Sequence, residues 1–381
     1  MAVFLGFVLA LTIGLHAYLY LRLVKAPGWP APWPTIGAWA LVALAASIPL
    51  SFVTASQLPR AAAAPFTWVA MVWLGAVFFL VVLLLASELV RIGDWLATRG
   101  SDLASPERRQ FLSRSIAGVV GVGALGLGSV SVVGALREVA IKRVSVPIGN
   151  LPEALGGLRI AQLTDIHVGP TIGDGFIEEL VRKTNALEPD LIAITGDLVD
   201  GSVEALADHV APLGRLRARH GVFFVTGNHE YYSGADAWNE HLGSLGIRVL
   251  SNEHVTIEHR GAKLAVAGVN DWTSGQFGHG HDLEGALRGK EQGVPVLLLA
   301  HQPKHVDLAA DHGVALQLSG HTHGGQIVPF NYLVGLVQPY VAGLHDHRGT
   351  MLYVSCGTGY WGPPMRLGVP AEITQLELVA G

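Results

Sequence analysis

Cysteine is almost absent from this chain: Cys356 stands alone among 381 residues. One thiol excludes an intrachain disulfide and any zinc site built on thiolates, and reads as a small packed residue. Charge is scarce too, at 14% of residues, where ordinary soluble domains carry roughly a quarter. The formal net charge is -5, so no global basic field points to nucleic acid, and no nucleic-acid partner is expected. No internal repeat or low-complexity linker interrupts residues 145–381. The shortage of charge, with a mean hydropathy of +0.41, points to membrane segments, and those fall in the first third of the chain.

Four stretches there, 2–21, 36–55, 66–87 and 115–136, reach the roughly 20 apolar residues that a membrane-spanning helix needs. The third, running through Val81-Val82-Leu83-Leu84-Leu85, is the strongest, and Pro49 weakens the second. The fourth is rich in small residues, which suit close helix packing in lipid; a buried soluble helix is its alternative. Arg91, Arg99, Arg108, Arg109 and Arg114 crowd the loop between the third and fourth stretches, which assigns that loop to the cytoplasm. Four spans then put the amino terminus and everything after residue 140 outside it. Arg137, Lys142 and Arg143 argue the other way unless they rest on anionic headgroups. Glu107-Arg108-Arg109-Gln110-Phe111-Leu112 resembles a twin-arginine export signal, or is an ordinary positive flank. The expected organisation is a polytopic region over 1–140, multi-pass in the cell membrane, and an extracytoplasmic soluble domain over 145–381.

In the soluble part, short apolar runs alternate with amphipathic stretches. Strands are expected at 158–164, 191–195, 222–226, 294–299 and 314–318, and helices at 174–187, 203–218, 236–245 and 282–289. A hairpin turning at Arg260-Gly261 and closing strands at 341–345, 350–355 and 372–379 follow. Such βα units with added β sequence predict a layered α/β sandwich.

Histidine is abundant, 17 in all, and every one but His16 lies beyond residue 160. Five short motifs each follow an apolar run: Asp165-Ile166-His167, Gly196-Asp197, Gly227-Asn228-His229-Glu230, His301 and Gly320-His321-Thr322-His323. Open α/β sheets bind ligands at the carboxyl ends of their strands. Asp165 and His167, two apart, share one face, and the Asp197 carboxylate has two oxygens with which to bridge two cations. Asn228 offers an amide oxygen. His229 reads as facing the substrate, where an imidazole can protonate a leaving group or stabilise charge. His301, His321 and His323 supply imidazoles, while Asp200 and Glu230 read as supporting groups. Gly278-His279-Gly280-His281 repeats the spacing without a preceding strand and reads as a loop. His345-Asp346-His347 is a hairpin edge at the rim of the site, and the other histidines, His259 and His305 among them, read as surface or helix positions. A nitrogen and oxygen donor set without thiolate suits two divalent ions, Mn, Fe, Zn or Co, and a metal-assisted attack of water on a phosphoester.

These five blocks, complete and in order over about 158–325, resemble the calcineurin-like metallophosphoesterase superfamily. The resemblance implies an α/β/β/α four-layer sandwich. It implies that Asp165, His167, Asp197 and His323 hold one metal, that Asp197, Asn228, His301 and His321 hold the other, and that His229 is the catalytic imidazole. The tail from Cys356 to Arg366 is similar to the membrane-associated bacterial branch, YkuE-like and YaeI-like, and to transmembrane metallophosphoesterases, some of which are similar to enzymes acting on phospholipid-like diesters. On that likeness Tyr360, Trp361 and Arg366 form an aromatic platform and a phosphate-pairing cation, with core packing as the alternative. The expected partners are a phosphoester substrate, lipid-linked ones included, and the membrane. A non-catalytic scaffold or sensor is the competing reading; it predicts lost ligands, and none is missing. A transporter is disfavoured because no cluster of charges marks a path through the spans.

Overall fold

The computed structural model describes residues 2–99 and 105–381. They form two compact units, 1–134 with 362–365, and 135–361 with 366–381.

The first unit is helical: α1 (Ala2–Leu19), α2 (Trp33–Gln57), α3 (Arg60–Thr98) and α4 (Pro106–Leu136). Among the described residues, α2, α3 and α4 are long and apolar enough to cross a membrane. The expected spans at 36–55, 66–87 and 115–136 lie inside them. The first expected span forms the shorter α1, several of whose side chains fall outside the described residues. Pro49 sits within α2 without ending it. Arg108 and Arg109 of the twin-arginine-like segment lie in the first turns of α4.

The second unit contains twelve strands among the described residues. They are β1 (Ala140–Ile148), β2 (Arg159–Leu163), β3 (Leu191–Ile194), β4 (Val222–Phe224), β5 (Arg248–Val249) and β6 (Glu253–His259), then β7 (Ala262–Gly268), β8 (Val296–Leu299), β9 (Leu316–Ser319), β10 (Gly343–His347), β11 (Thr350–Val354) and β12 (Glu372–Ala380). They make two six-stranded sheets, ordered β1-β12-β2-β3-β4-β5 and β10-β11-β9-β8-β7-β6. The central pairings β2–β3–β4 and β7–β8–β9 are parallel. Parallel strands are covered on both faces and so read as unbroken apolar runs; Leu191–Ile194 and Val296–Leu299 are buried at every position. Ile160, Phe223, Leu297 and Leu318 meet in the core between the sheets. Ile177, Leu206 and Trp238, on helices, cover the outer face of the first sheet, and Leu283 and Ala309 that of the second. The expected four layers are present.

Three local expectations change. The helix expected over 203–218 ends at Val210 and passes into a 3-10 turn, Ala211–Arg215, that contains Pro212, whose ring cannot donate to the preceding turn. The helix expected over 282–289 is only Leu283–Ala286. Strand β1 was not expected; it pairs in parallel with β12 over its whole length.

Candidate metal centre

Five loops bring the site together, each leaving the carboxyl end of a strand: Asp165 and His167 after β2, Asp197 after β3, Asn228 and His229 after β4, His301 after β8, and His321 and His323 after β9. Asp165, His167, Asp197, His321 and His323 all adopt left-handed backbone, with φ from 50° to 69°. Side chains bearing a β-carbon rarely sit there, and each such residue costs on the order of 1–3 kcal/mol, which the surrounding structure must hold. Glycine makes the close approach possible, since a Cβ on Gly320 would strike Asp165 Oδ2 and Thr164 Oγ1.

Three overlapping groups place their donor atoms within 4.8 Å of one another: Asp165, His167 and His323; His167, Asp197 and His229; Asp197, His301 and His321. His167 Nε2 lies 3.1 Å from His323 Nε2, which lies 3.4 Å from Asp165 Oδ1. On the other side Asp197 Oδ2 is 3.1 Å from His301 Nε2, and His301 Nε2 is 3.3 Å from His321 Nδ1. Imidazole nitrogens facing each other at this range have room between them only for a proton or a cation. Asn228 Oδ1 is buried and, among the described residues, has no hydrogen-bond partner. An unpartnered buried acceptor costs about 1–3 kcal/mol, and a cation at that oxygen removes the cost. Asp197 belongs to two of the groups, so the residues present fit divalent ions.

Hydrogen bonds outside the centre set the ring orientations. Asp200 Oδ1 accepts from His167 Nδ1 at 3.0 Å and from His229 Nδ1 at 2.6 Å. His301 Nδ1 donates to the Thr195 carbonyl at 2.8 Å. Such partners fix the ring orientation and turn Nε2 inward. Burial opposes a charge on Asp200, but His167 and His229 outweigh it and hold the carboxyl below its usual range. That one carboxylate serves two rings is not readable from the Gly196-Asp197-Leu198-Val199-Asp200 spacing. Glu230 accepts from the backbone N–H groups of Asp197, Leu198, Val199 and Gly227 at 2.6–3.3 Å. Burial and the Asp197 carboxylate push its pKa up to about 7, against the N–H groups that favour its charged form.

The His229 ring stands edge-on to His167 at 4.7 Å and is flanked by Tyr232 and Trp361 at 5.4 and 5.9 Å. Burial lowers its pKa, but Asp197 and Asp200 reverse this and lift it to about 9. The proton is therefore bound through neutral pH and lost as pH rises through about 9. Histidine-selective NMR of the metal-free protein should show His229 titrating near pH 9; titration near the ordinary value of about 6.5 would contradict this.

Two of the three expected substrate contacts are corrected. Tyr360 is 5% exposed and packs with Ile172 and Phe176, its hydroxyl donating to the Thr171 carbonyl. Arg366 is 3% exposed, and its guanidinium donates to the carbonyls of Cys356, Gly359 and Val369, tying the loop instead of facing a phosphate. Core packing wins at both. Trp361 is 52% exposed. His279 rests against Tyr231 and His281 stacks on Trp272, and neither joins the cluster. His345 and His347 are engaged by the Ala342 carbonyl and by Tyr340 and Asp307. His259 and His305, expected at surface or helix positions, are each 1% exposed, His259 in β6 and His305 in a 3-10 turn.

One further feature adjoins the centre. Residues 327–344 carry no Asp, Glu, Lys, Arg or His, and Val328, Phe330, Tyr332, Leu333, Leu336 and Val337 are 38–80% exposed. The segment is rooted on the histidine turn: Thr322 Oγ1 donates to the Val341 carbonyl at 2.6 Å, and Gln326 exchanges two hydrogen bonds with the Trp361 backbone. The missing charge is its signal in the sequence.

Residues 158–325 match the calcineurin-like phosphoesterase family. The chain is 42% identical over 332 residues to a bovine transmembrane protein with metallophosphoesterase domain, covering 83% of this chain and 74% of that one. It is 43% identical over 247 residues to a metallophosphoesterase of Helicobacter pylori, covering 64% and 65%. With the metallophosphoesterase YkuE of Bacillus subtilis it shares 30% identity over 284 residues, 71% of this chain and 97% of that one. The loops of the centre, read with these likenesses, show that the chain belongs to the calcineurin-like phosphoesterase family.

Proposed function

We propose that this chain is a membrane-anchored dimetal phosphoesterase, with its soluble domain over 145–381. The carrying observation is the pair of donor groups that share Asp197, beside a buried Asn228 oxygen that no protein group satisfies. Asp165, His167, Asp197 and His323 would hold one divalent ion; Asp197, Asn228, His301 and His321 would hold the second. Ions so held supply Lewis-acid polarisation of the phosphoryl group and a more acidic water. The protein's own part is orientation and proton supply. Asp200 fixes His167 and His229 together, Glu230 fixes the two loops carrying Asp197 and Asn228, and the His229 imidazole stands beside the centre, where it can donate a proton to the leaving oxygen. The substrate is a phosphodiester, phosphomonoester or pyrophosphate.

The test is hydrolysis by the purified full chain in detergent, stripped of metal and reconstituted with Mn²⁺, using bis-p-nitrophenyl phosphate and p-nitrophenyl phosphate. We expect turnover that needs metal and disappears on chelation, with two ions per chain by elemental analysis. Two bound ions and no turnover on these or on lipid substrates would favour a scaffold instead.

A lipid-linked substrate is the finer reading, and the uncharged exposed segment 327–344 at the histidine turn supports it. A Leu336→Asp, Val337→Asp variant alters exposed positions only. It should cut turnover of a vesicle-borne lipid phosphoester by about tenfold, as expected for lost apolar contact at a lipid surface, and leave bis-p-nitrophenyl phosphate unchanged. Equal loss on both substrates would remove the lipid reading. The extracytoplasmic placement rests on the arginines at 91–114, and a reporter fused at the carboxyl terminus tests it; a cytoplasmic signal would reverse it.

A further inference from the structure

A second polar site lies in the helical unit, apart from the metal centre. A cavity of about 390 Å³ between α3 and the start of α4 is lined by Arg91, Arg99, Arg108 and Arg109, with Trp95 and Leu112 among its apolar walls. Four guanidinium groups face one carboxylate there, Asp94, and Asp94 is already taken by Arg108 Nε and Nη2 at 3.0 and 2.8 Å. Arg91 donates through Nη1 to Ser113 Oγ at 3.2 Å, but among the described residues its Nε and Nη2 are buried without a hydrogen-bond partner. Glu88 stands 3.8 Å from Arg91 Nε and is held by Arg22 at 2.8 Å. Arg99 lies over the Trp95 ring at 5.3 Å, and among the described residues neither Arg99 nor Arg109 makes an ion pair. The N–H groups of Arg91 that are held out of water without a hydrogen bond are costly to leave unmet, and with the exposed guanidinium groups of Arg99 and Arg109 beside them they describe a receptor for an anion.

Its depth selects the anion. Helix α3 has 39 residues, about 58 Å at 1.5 Å per residue, well beyond the roughly 30 Å of bilayer hydrocarbon. Its uncharged run ends at Ser87, and Glu88, Arg91 and Asp94 follow, which sets the cavity at the headgroup level. We propose that this cavity binds the phosphate of an anionic phospholipid, with Arg91, Arg99 and Arg109 on the phosphate oxygens and Trp95 and Leu112 against the glycerol and upper acyl chains. Basic pockets at helix ends bind lipid headgroups by this chemistry. In this arrangement Arg108 and Arg109 of the twin-arginine-like motif have separate tasks, Arg108 closing the cavity on Asp94 and Arg109 facing the ligand.

The test is native mass spectrometry of the delipidated full chain in detergent, titrated with dioleoyl phosphatidylglycerol, dioleoyl phosphatidylcholine or inorganic phosphate. The expected result is one saturable phosphatidylglycerol per chain, which neither phosphatidylcholine nor 1 mM inorganic phosphate displaces. Arg109→Gln, at an exposed position, should weaken it about tenfold. Arg91→Gln, checked for folding by its melting curve, should weaken it at least as much. Unchanged binding in Arg109→Gln and in a folded Arg91→Gln would overturn the proposal. Displacement by inorganic phosphate would overturn the lipid assignment.

Discussion

Asp197→Asn should lower kcat on bis-p-nitrophenyl phosphate by about a thousandfold or more, the scale of losing a central charge-stabilising group in a closed site. Asp197 turns one oxygen to both sides of the centre: Oδ2 lies 3.1 Å from His301 Nε2 and 3.9 Å from His167 Nε2, while Oδ1 accepts from the backbone N–H of His229 at 2.9 Å. An asparagine must put its NH₂ at one of these places. At Oδ1 it opposes the His229 N–H. At Oδ2 it donates to His301 Nε2 and occupies the lone pair needed for an ion. We therefore expect fewer than two ions per chain by elemental analysis, with little change in melting temperature of the metal-free protein. Full metal occupancy with near-normal kcat would mean that Asp197 is not the shared ligand.

Glu230→Ala should destabilise the two-sheet unit by about 4 kcal/mol. The carboxylate serves four backbone N–H groups on two loops, and each buried donor left unpaired costs about 1–3 kcal/mol; the desolvation of Glu230 itself offsets part of the sum. For a domain of this size, that corresponds to a fall of roughly 10 °C in melting temperature, measured on the metal-free chain so that ion loss does not contribute. Glu230→Gln should fall between the parent and the alanine variant, since its amide keeps one acceptor and points N–H groups at other donors. A loss below about 1 kcal/mol would show that water replaces the carboxylate.

Where apolar runs are long or strictly placed, sequence and structure agree. Ile160, Ile192, Phe223 and Leu298 lie in strands because buried parallel strands need β-branched and large apolar side chains on both faces. The donors were legible for the same reason: each comes just after such a run, so locating the strand locates its carboxyl end. Strand β1 was hidden because its charged residues, Lys142 and Arg143, lie beside a membrane-like stretch, and only pairing with β12, more than 200 residues away, makes it a strand. Tyr360 and Arg366 had the right chemistry for a substrate and the wrong direction. Whether an arginine meets a phosphate or backbone carbonyls is decided by the loop around it.

By itself, then, the chain determined the apolar helices, the alternation of strands and helices, and which side chains carry donor atoms, because these depend on local pattern and side-chain chemistry. Only the tertiary structure decided that Asp200 holds two imidazoles, that Glu230 ties two loops, that Asn228 Oδ1 is left without a partner, and that Tyr360 turns inward. Each of those is a relation between residues far apart in sequence, or between a side chain and a backbone held at positive φ. Packing of the two sheets sets such distances, and no local pattern records them.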